Sequence, residues 1–581
     1  MKIIVFLLLT SFITVANINT STSDKTASTN AALNAIRMKQ SFTIGCAPDI
    51  SDFDFEDPKN AVPLLEGWGK YRMPVTQAND SAYIYFQQGI NMYYAFHIIE
   101  AMASFEKSVQ FDKNFAMGYW GKALAFGPNI NDDGYSASPE ALVTLEKAQT
   151  LANTTTPEEQ ALIGAMSVRY TADTTQTREH LNQQYADAMK RAHQQFPESI
   201  DIAALYADAL MIQHPWDLYD RYGQPKTWTP PIVTTLEKVL AKNANHPGAA
   251  HYYIHAVEAS NHPEKALNAS DVLPGLMPGV SHVVHMPAHI YIRTGNYAAG
   301  VTVDEQAVQG YKNYLSVFPA VEANTPLYLI HNLHMQATCA NMDGTYAEAM
   351  KASIDTKNSF DTAWLSAPGF FGNFVQYVYM TPILTQIRFG KWTEILQAAA
   401  VPDNFVYANL LWHYARGLAY ARQQDFTNAK KELDALKLGL NHEQLKAPAP
   451  NYANPSINGA RVAEKILLGE IAKEQNKLPE AIALLTEAVE LEDAMIYNEP
   501  KDWVHPARQY LGTVQLKAGK FAAAEKTFRQ DLQIHPKNGW AYTGLAIALH
   551  KQGKPKLAEP FEKLARKAFE RSDVKIIAAV F

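Results

Sequence analysis

HPARQYLGTVQLKAGKFAAAEKTFRQDLQIHP, residues 505–536, decides the fold. Counted from His505, Gly512, Gly519, Phe521, Ala524, Phe528 and Pro536 fall at offsets 7, 14, 16, 19, 23 and 31. A second unit begins 34 residues on, where Gly553 and Ala558 take the same offsets 14 and 19. Apolar residues recur at helical spacing on both sides of Gly519, so each unit predicts a pair of helices. Small residues let the first helix approach the second closely. A glycine ends the first helix and a proline stops the second.

The register recurs upstream. It is met by Gly469, Ala481, Leu485 and Ala488 counted from Val462, and by Gly417 and Ala429 from Leu410. It is met again by Gly344, Tyr346 and Ala349 from Ile330, by Gly295 and Tyr297 from Ser281, and by Gly89, Ala101 and Phe105 from Ala82. Residues 138–215 fit paired amphipathic helices but miss the consensus. No window alternates long enough to propose a sheet. A 34-residue helix-pair period resembles the tetratricopeptide (TPR) repeat. That resemblance implies an all-α fold, a TPR α-solenoid of stacked antiparallel helix pairs forming a superhelix. The stretches HPGAAHYYIHAVEAS (246–260), HMPAHIYIRTGNY (285–297), HNLH (331–334) and EPKDWVHPARQYLG (499–512) look like a family of exported bacterial TPR proteins of similar length. The resemblance runs from about Ala82 to the C-terminus. It implies the fold and says little about chemistry.

A chain of 581 residues exceeds one ordinary core, and a stack is one way to accommodate it. With 47% hydrophobic and 19% charged residues, it reads as globular. The 51 basic and 58 acidic residues give a net −7, with no basic excess to attract nucleic acid or an anionic membrane. Met1-Lys2 precedes an apolar run from Ile3 to Ala16, with Thr14 and Ala16 as a small-residue cleavage site. Residues 1–16 therefore read as a signal peptide, since the run is shorter than the ~20 residues that span a bilayer. An uncleaved anchor is the alternative. The expectation is an exported protein, periplasmic or secreted, with no transmembrane segment in the mature chain. Residues 17–45 read as a flexible lead-in, 46–230 as N-terminal helical repeats, 231–360 as histidine-rich TPR repeats and 361–581 as C-terminal TPR repeats. Within this frame, 214–231 form a Pro- and aromatic-rich loop carrying Trp216, Tyr219 and Trp228. It reads equally as a surface loop or as a lid over the groove. Cys46 and Cys339 make no disulfide framework, and whether they pair is left open.

Nine of the eighteen histidines lie between His246 and His334. In the repeat starting at Pro247, His251, His255 and Glu258 share one face of the first helix. His282, His285 and His289 do so in the repeat from Ser281, and His331 and His334 in the repeat from Ile330. In TPR proteins that face lines the concave groove, so seven imidazoles and a carboxylate are expected in one hollow. His246, His262, His413 and His505 lack this register and read as ordinary hydrogen-bonding side chains. Imidazole is the commonest ligand of transition metals, and HxxxH on a helix holds a metal from two sides. His251/His255 and His285/His289 repeat that spacing. The expected cofactor is a divalent transition metal (Zn, Cu or Fe), released as pH falls below about 6.5. Pro287 is expected to kink the helix and leave His282 at the cavity's edge. Asn332 and Glu258 are the candidate partners for the ligands' second nitrogens. Arg293 would meet a carboxylate or phosphate near the metal, or pair with an acid across the groove.

These residues support three functions. The first is an exported TPR binding protein with a histidine-lined, metal-binding groove that takes a peptide, protein or small molecule. The second is a metal-dependent enzyme, hydrolase or oxidoreductase, with Glu258 or an unliganded histidine as acid or base. The third is a peptide- or protein-binding scaffold without metal. There is no HExxH, no glycine-rich phosphate loop and no GxSxG elbow.

Overall fold

The computed structural model describes residues 62–76, 79–131, 138–318, 326–450 and 453–581. The signal-peptide reading, the lead-in and Cys46 lie outside the described residues. Among the described residues the chain is helical throughout, and its sole extended pairing is an isolated bridge between Tyr219 and Pro225. No described helix is long and apolar enough to cross a membrane.

Antiparallel hairpins follow one another along the chain. Asp80–Tyr94 packs on Ile98–Phe111, Val406–Arg422 on Phe426–Gly439, Ser456–Glu474 on Leu478–Asp493, and Gly539–Lys551 on Pro555–Ala568. The fold is thus the all-α, TPR-like solenoid that the 34-residue period implies. The period has a visible cause in the Ala507–Lys517 and Phe521–Ile534 hairpin. The buried Phe528 ring lies between Gly512 and the next unit's Gly544. A Cβ on either glycine would come within 2.5 Å or 2.3 Å of that ring, so both positions need glycine for the helices to close.

The stack does not stay open. Trp540 donates its Nε1–H to the Asn341 carbonyl at 3.1 Å, and Arg571 meets Asp343 at 2.9 Å and Glu348 at 2.7 Å. Tyr297 donates to the Pro536 carbonyl, and Lys537 to Asn296. The last two hairpins therefore dock on those of residues 297–357, sealed by Val301, Cys339, Phe389 and Trp540. A period read locally predicts neighbours only. It does not predict that the C-terminal hairpins turn back onto the middle of the stack. This closure brings the segment 495–506 over the histidine-rich repeats.

The 214–231 loop splits in the structure. Residues 214–228 are turns, and Thr229 begins the helix to Lys242. Tyr219 donates its hydroxyl to the Ala256 carbonyl at 2.8 Å, and Trp228 donates to the Asp217 carbonyl while stacking on His214. Those bonds hold the loop against the helix that carries His251 and His255.

Candidate metal centre

Four helices bring the site together: Asp80–Tyr94, Pro247–Val257, the run Ser281–Thr294, and Pro326–Asp343. Pro287 divides the third into Ser281–His285 and Pro287–Thr294. Met286 between them keeps helical angles, φ −48° and ψ −36°. The α-helical run breaks at Met286, where the His289 N–H bonds the Met286 carbonyl at 3.3 Å, yet His282, His285 and His289 all reach the same cluster. His282 and His285, about 4.5 Å apart along the axis, serve different groups.

Two groups of three imidazoles result. In the first, His251 Nε2 lies 3.1 Å from His255 Nε2 and 3.2 Å from His282 Nε2. In the second, His289 Nε2 lies 2.8 Å from His285 Nε2 and 3.3 Å from His331 Nε2. Within each group the candidate ligand atoms all lie within 4.8 Å of one another. A tetrahedral ion with metal–nitrogen bonds of ~2.0–2.1 Å sets its ligands about 3.3 Å apart. His282 is thus a full member of the first triad and not at the edge. His334 joins neither: its buried ring packs against Tyr377, and it is set apart from both triads.

Four of the six other ring nitrogens lie close to identifiable partners, whereas His282 Nδ1 is buried without a hydrogen-bond partner among the described residues. His251 Nδ1 meets the Tyr94 carbonyl at 2.6 Å, and His255 Nδ1 meets Glu258 at 3.2 Å. His285 Nδ1 meets Asp304 at 2.5 Å, and His289 Nδ1 lies 2.7 Å from Glu258 and 2.6 Å from Glu499. Glu258 spans both triads from behind. Its oxygens lie at Nδ1 atoms, it lines the pocket, and with His289 and Glu499 it makes a third group whose candidate ligand atoms all lie within 4.8 Å of one another. Asn332 instead donates to Ser281 Oγ at 3.1 Å and touches no ligand nitrogen. Arg293 binds the Glu258 and Ser260 carbonyls and lies over the Tyr497 ring, closing the C-terminal end of the Pro247–Val257 helix; it meets no acid.

Those partners fix the tautomers. A carbonyl only accepts, so His251 Nδ1 carries the proton and its Nε2 is a bare lone pair. Burial opposes charge on Glu258, but His289 and His255 outweigh it and hold the carboxyl down to about 2. An ionised Glu258 likewise accepts a hydrogen bond from the Nδ1–H of His255, which leaves His255 Nε2 bare. Two lone pairs then face each other across 3.1 Å. Burial pushes His251 and His282 well below the usual histidine value and His255 below it, so a proton does not relieve that contact. The second triad differs. Burial also opposes charge on His289, but Glu258 and Glu499 override it and hold it well above the usual value. Its extra proton on Nε2 can be shared with His285, which burial keeps neutral along with His331.

Both triads open on one pocket, lined by His255, His282, His289 and His331, with Ile130, Met211, Trp216 and Leu218 on its apolar side and Glu258, Tyr497, Asn498 and Glu499 on its polar side. Across the triads, ring centroids lie 5.9 Å apart for His255–His289 and 6.4 Å for His282–His285. Phe96 stacks on His255 and His282, and Trp216 meets His255 edge-on. Both aromatics sit at positive φ, 60° and 59°, where a bulky residue is strained by on the order of 1 kcal/mol or more. The fold holds that strain where the two rings wall the first triad. His246, His413 and His505 make ordinary hydrogen bonds elsewhere, and His262 is exposed against Glu264.

Sequence reading missed Tyr94, Asp304 and Glu499. The Tyr94 contribution is a carbonyl and leaves no residue signature. Glu499 arrives only through closure of the superhelix. Asp304 had a signal: a carboxylate at helical spacing between Val301 and Val308, on the buried face of Tyr297–Val317.

No family model and no curated protein matches the chain. Among solved structures it is similar to a human IFIT1 dimer bound to m7Gppp-AAAA, at 12% identity over 85% of this chain and 95% of that one, TM-score 0.30. It is also similar to the P58(IPK) TPR domain, at 10% identity over 85% and 99%, TM-score 0.24, and to yeast Tom70, at 11% identity over 84% and 93%, TM-score 0.27. At such scores the fold rests on the chain's own hairpins.

Proposed function

We propose that this chain is a metalloprotein whose curled helical-repeat scaffold holds two transition-metal ions side by side, each by three imidazoles. The observation that carries this reading is the pair of facing lone pairs on His251 and His255. That contact is repulsive in a neutral buried cluster and attractive around a cation. The backing of His251, His255, His285 and His289 by a carbonyl or carboxylate supports it, since such partners are what ligating imidazoles require. Three protein ligands leave a coordination position open toward the pocket, which favours a centre that binds and activates a small molecule over a sealed structural site.

The remaining readings attach to this one. Residues 1–16 direct export to the periplasm or beyond. N-terminal sequencing of the purified protein should find the mature chain starting after Ala16. The larger groove beside the pocket, lined by Arg221, Arg293, Asp493, Tyr497, Lys501 and Lys537, is where a peptide, protein or small molecule would approach.

Titration of the chelator-stripped full chain with zinc and, separately, copper tests the proposal. Two ions should bind per chain. His255→Ala and His285→Ala should each remove one ion and leave the other, with the helical circular dichroism signal unchanged. Binding of one ion or none by the unaltered chain would refute it.

A further inference from the structure

Independently of the two-ion reading, we infer that Lys501 is the amine nucleophile of a second site, which holds an aldehyde or ketone as a protonated imine and is served by a proton relay through His535 and Asp531.

The stretch EPKDWVHPARQYLG (499–512) carries a lysine that the histidine cluster does not use. Lys501 lies on the segment that closes over the repeats, and its Nζ is 3.1 Å from His535 Nε2. His535 Nδ1 lies 2.9 Å from Asp531 Oδ1, and the other Asp531 oxygen accepts from Gln509 Nε2 and Asn538 Nδ2, each at 3.0 Å. Burial opposes charge on Asp531, but His535 and Gln509 outweigh it and hold its carboxyl below the usual range. The carboxylate therefore accepts a hydrogen bond from the Nδ1–H of His535, whose bare Nε2 faces the amine. Burial and the Lys501 charge hold His535 down to about 4, so that lone pair is unprotonated at neutral pH. The buried Lys473 differs: it meets the Glu470 carboxylate at 2.7 Å, an ion pair that keeps the ammonium charged. Charges of both signs surround Lys501. Burial pushes it below the usual lysine value, Arg293 and Arg508 add to this, and Glu492 and Asp531 oppose it.

Lys501 lines both the large groove and a smaller cavity that His535 also lines. The walls of the smaller one are mixed, with Met342, Val504 and Ile534 against Arg293, Tyr497 and Glu499. The ligand class therefore follows from the amine and not from the walls: a lysine nitrogen beside a base attacks a carbonyl carbon. The step balances. The nitrogen lone pair bonds the carbon, and the two protons that the ammonium gives up pass through His535 Nε2 to the carbonyl oxygen, which leaves as water. The product is a protonated imine, so the single positive charge is conserved and no oxidant or reductant is needed. Return of water reverses the step.

The test uses the full chain, pulsed with butanal and cyanoborohydride, which reduces an imine to a stable secondary amine. Peptide mass spectrometry then compares Lys501 with Lys537, an exposed lysine on the same groove. Lys501 should be modified faster by roughly 100-fold, the low end of what a positioned base supplies. His535→Gln and Asp531→Asn should each bring Lys501 down to the Lys537 rate, with Lys537 and the helical circular dichroism signal unchanged. A Lys501 rate no higher than that of Lys537 would overturn the inference and make the contact a structural tether. A rate that stays high in both folded variants would overturn it as well. Neither result bears on the number of ions bound.

Discussion

At the scale of single residues, the site depends on where protons sit. Asp304 is buried beside His285, and its contact with Nδ1 turns the ring so that Nε2 faces the second triad, while burial pushes its own carboxyl well above the usual range. Asp304→Asn keeps the shape but offers an amide that can donate as well as accept, so the tautomer is no longer fixed. Metal affinity at the second triad should fall by roughly 10- to 100-fold, with the first triad unchanged, in a chelator competition. An unchanged affinity would show that Asp304 does not orient a ligand. Acid release should come in two steps. His289 is held above the usual value, so protons compete for its Nε2 already near neutrality, and the second triad empties first as pH falls. His251 and His282 are depressed, so protons compete for them only at lower pH, and the first triad keeps its ion well below pH 6.5. Burial at the first triad and the Glu258 and Glu499 carboxyls at the second thus replace the single release near 6.5 expected for exposed histidines. Metal content of the chain dialysed between pH 7.5 and 4.5 checks this. Simultaneous loss of both ions near pH 6.5 would contradict it.

At the scale of elements, the helical register proved more informative than the proline. The spacing of His282, His285 and His289 already put them on one face, and the helical dihedrals of Met286 at the break keep all three in the cluster. Pro287→Ala should therefore retain two ions per chain by elemental analysis. Loss of either ion would mean that the proline sets the geometry. Six of the seven named histidines were legible as a cluster because side chains one turn apart on a helix lie together. His334 has the same spacing, yet its ring turns to Tyr377, a packing choice invisible to periodicity. The hairpins were legible because glycine and a large ring must alternate where helices cross, as at Gly89 with Phe105 and Gly512 with Phe528. The two-triad division was not legible, because it depends on how neighbouring helices stagger. Nor were the strained Phe96 and Trp216, since nothing local favours an aromatic residue at positive φ.

At the scale of the whole molecule, repeats that would touch only their neighbours in an open stack are locked into a curl. The centre draws on Tyr94, the helices of residues 247–343, and Glu499, which closure supplies from the far end of the stack. Phe528 tests the packing that permits this. Phe528→Ala should cost about 3–5 kcal/mol, read as a lower urea midpoint, because the glycines around it have no side chains to fill the space. A change under about 1 kcal/mol would contradict a close-packed hairpin there. The central claim, two ions in two three-histidine sites, is tested most directly by anomalous diffraction at the metal edge from crystals of the metal-loaded full chain. The account predicts two peaks, one within bonding distance of His251, His255 and His282, the other of His285, His289 and His331. The absence of peaks at these six nitrogens, or a single peak held by Glu258, His289 and Glu499, would contradict it.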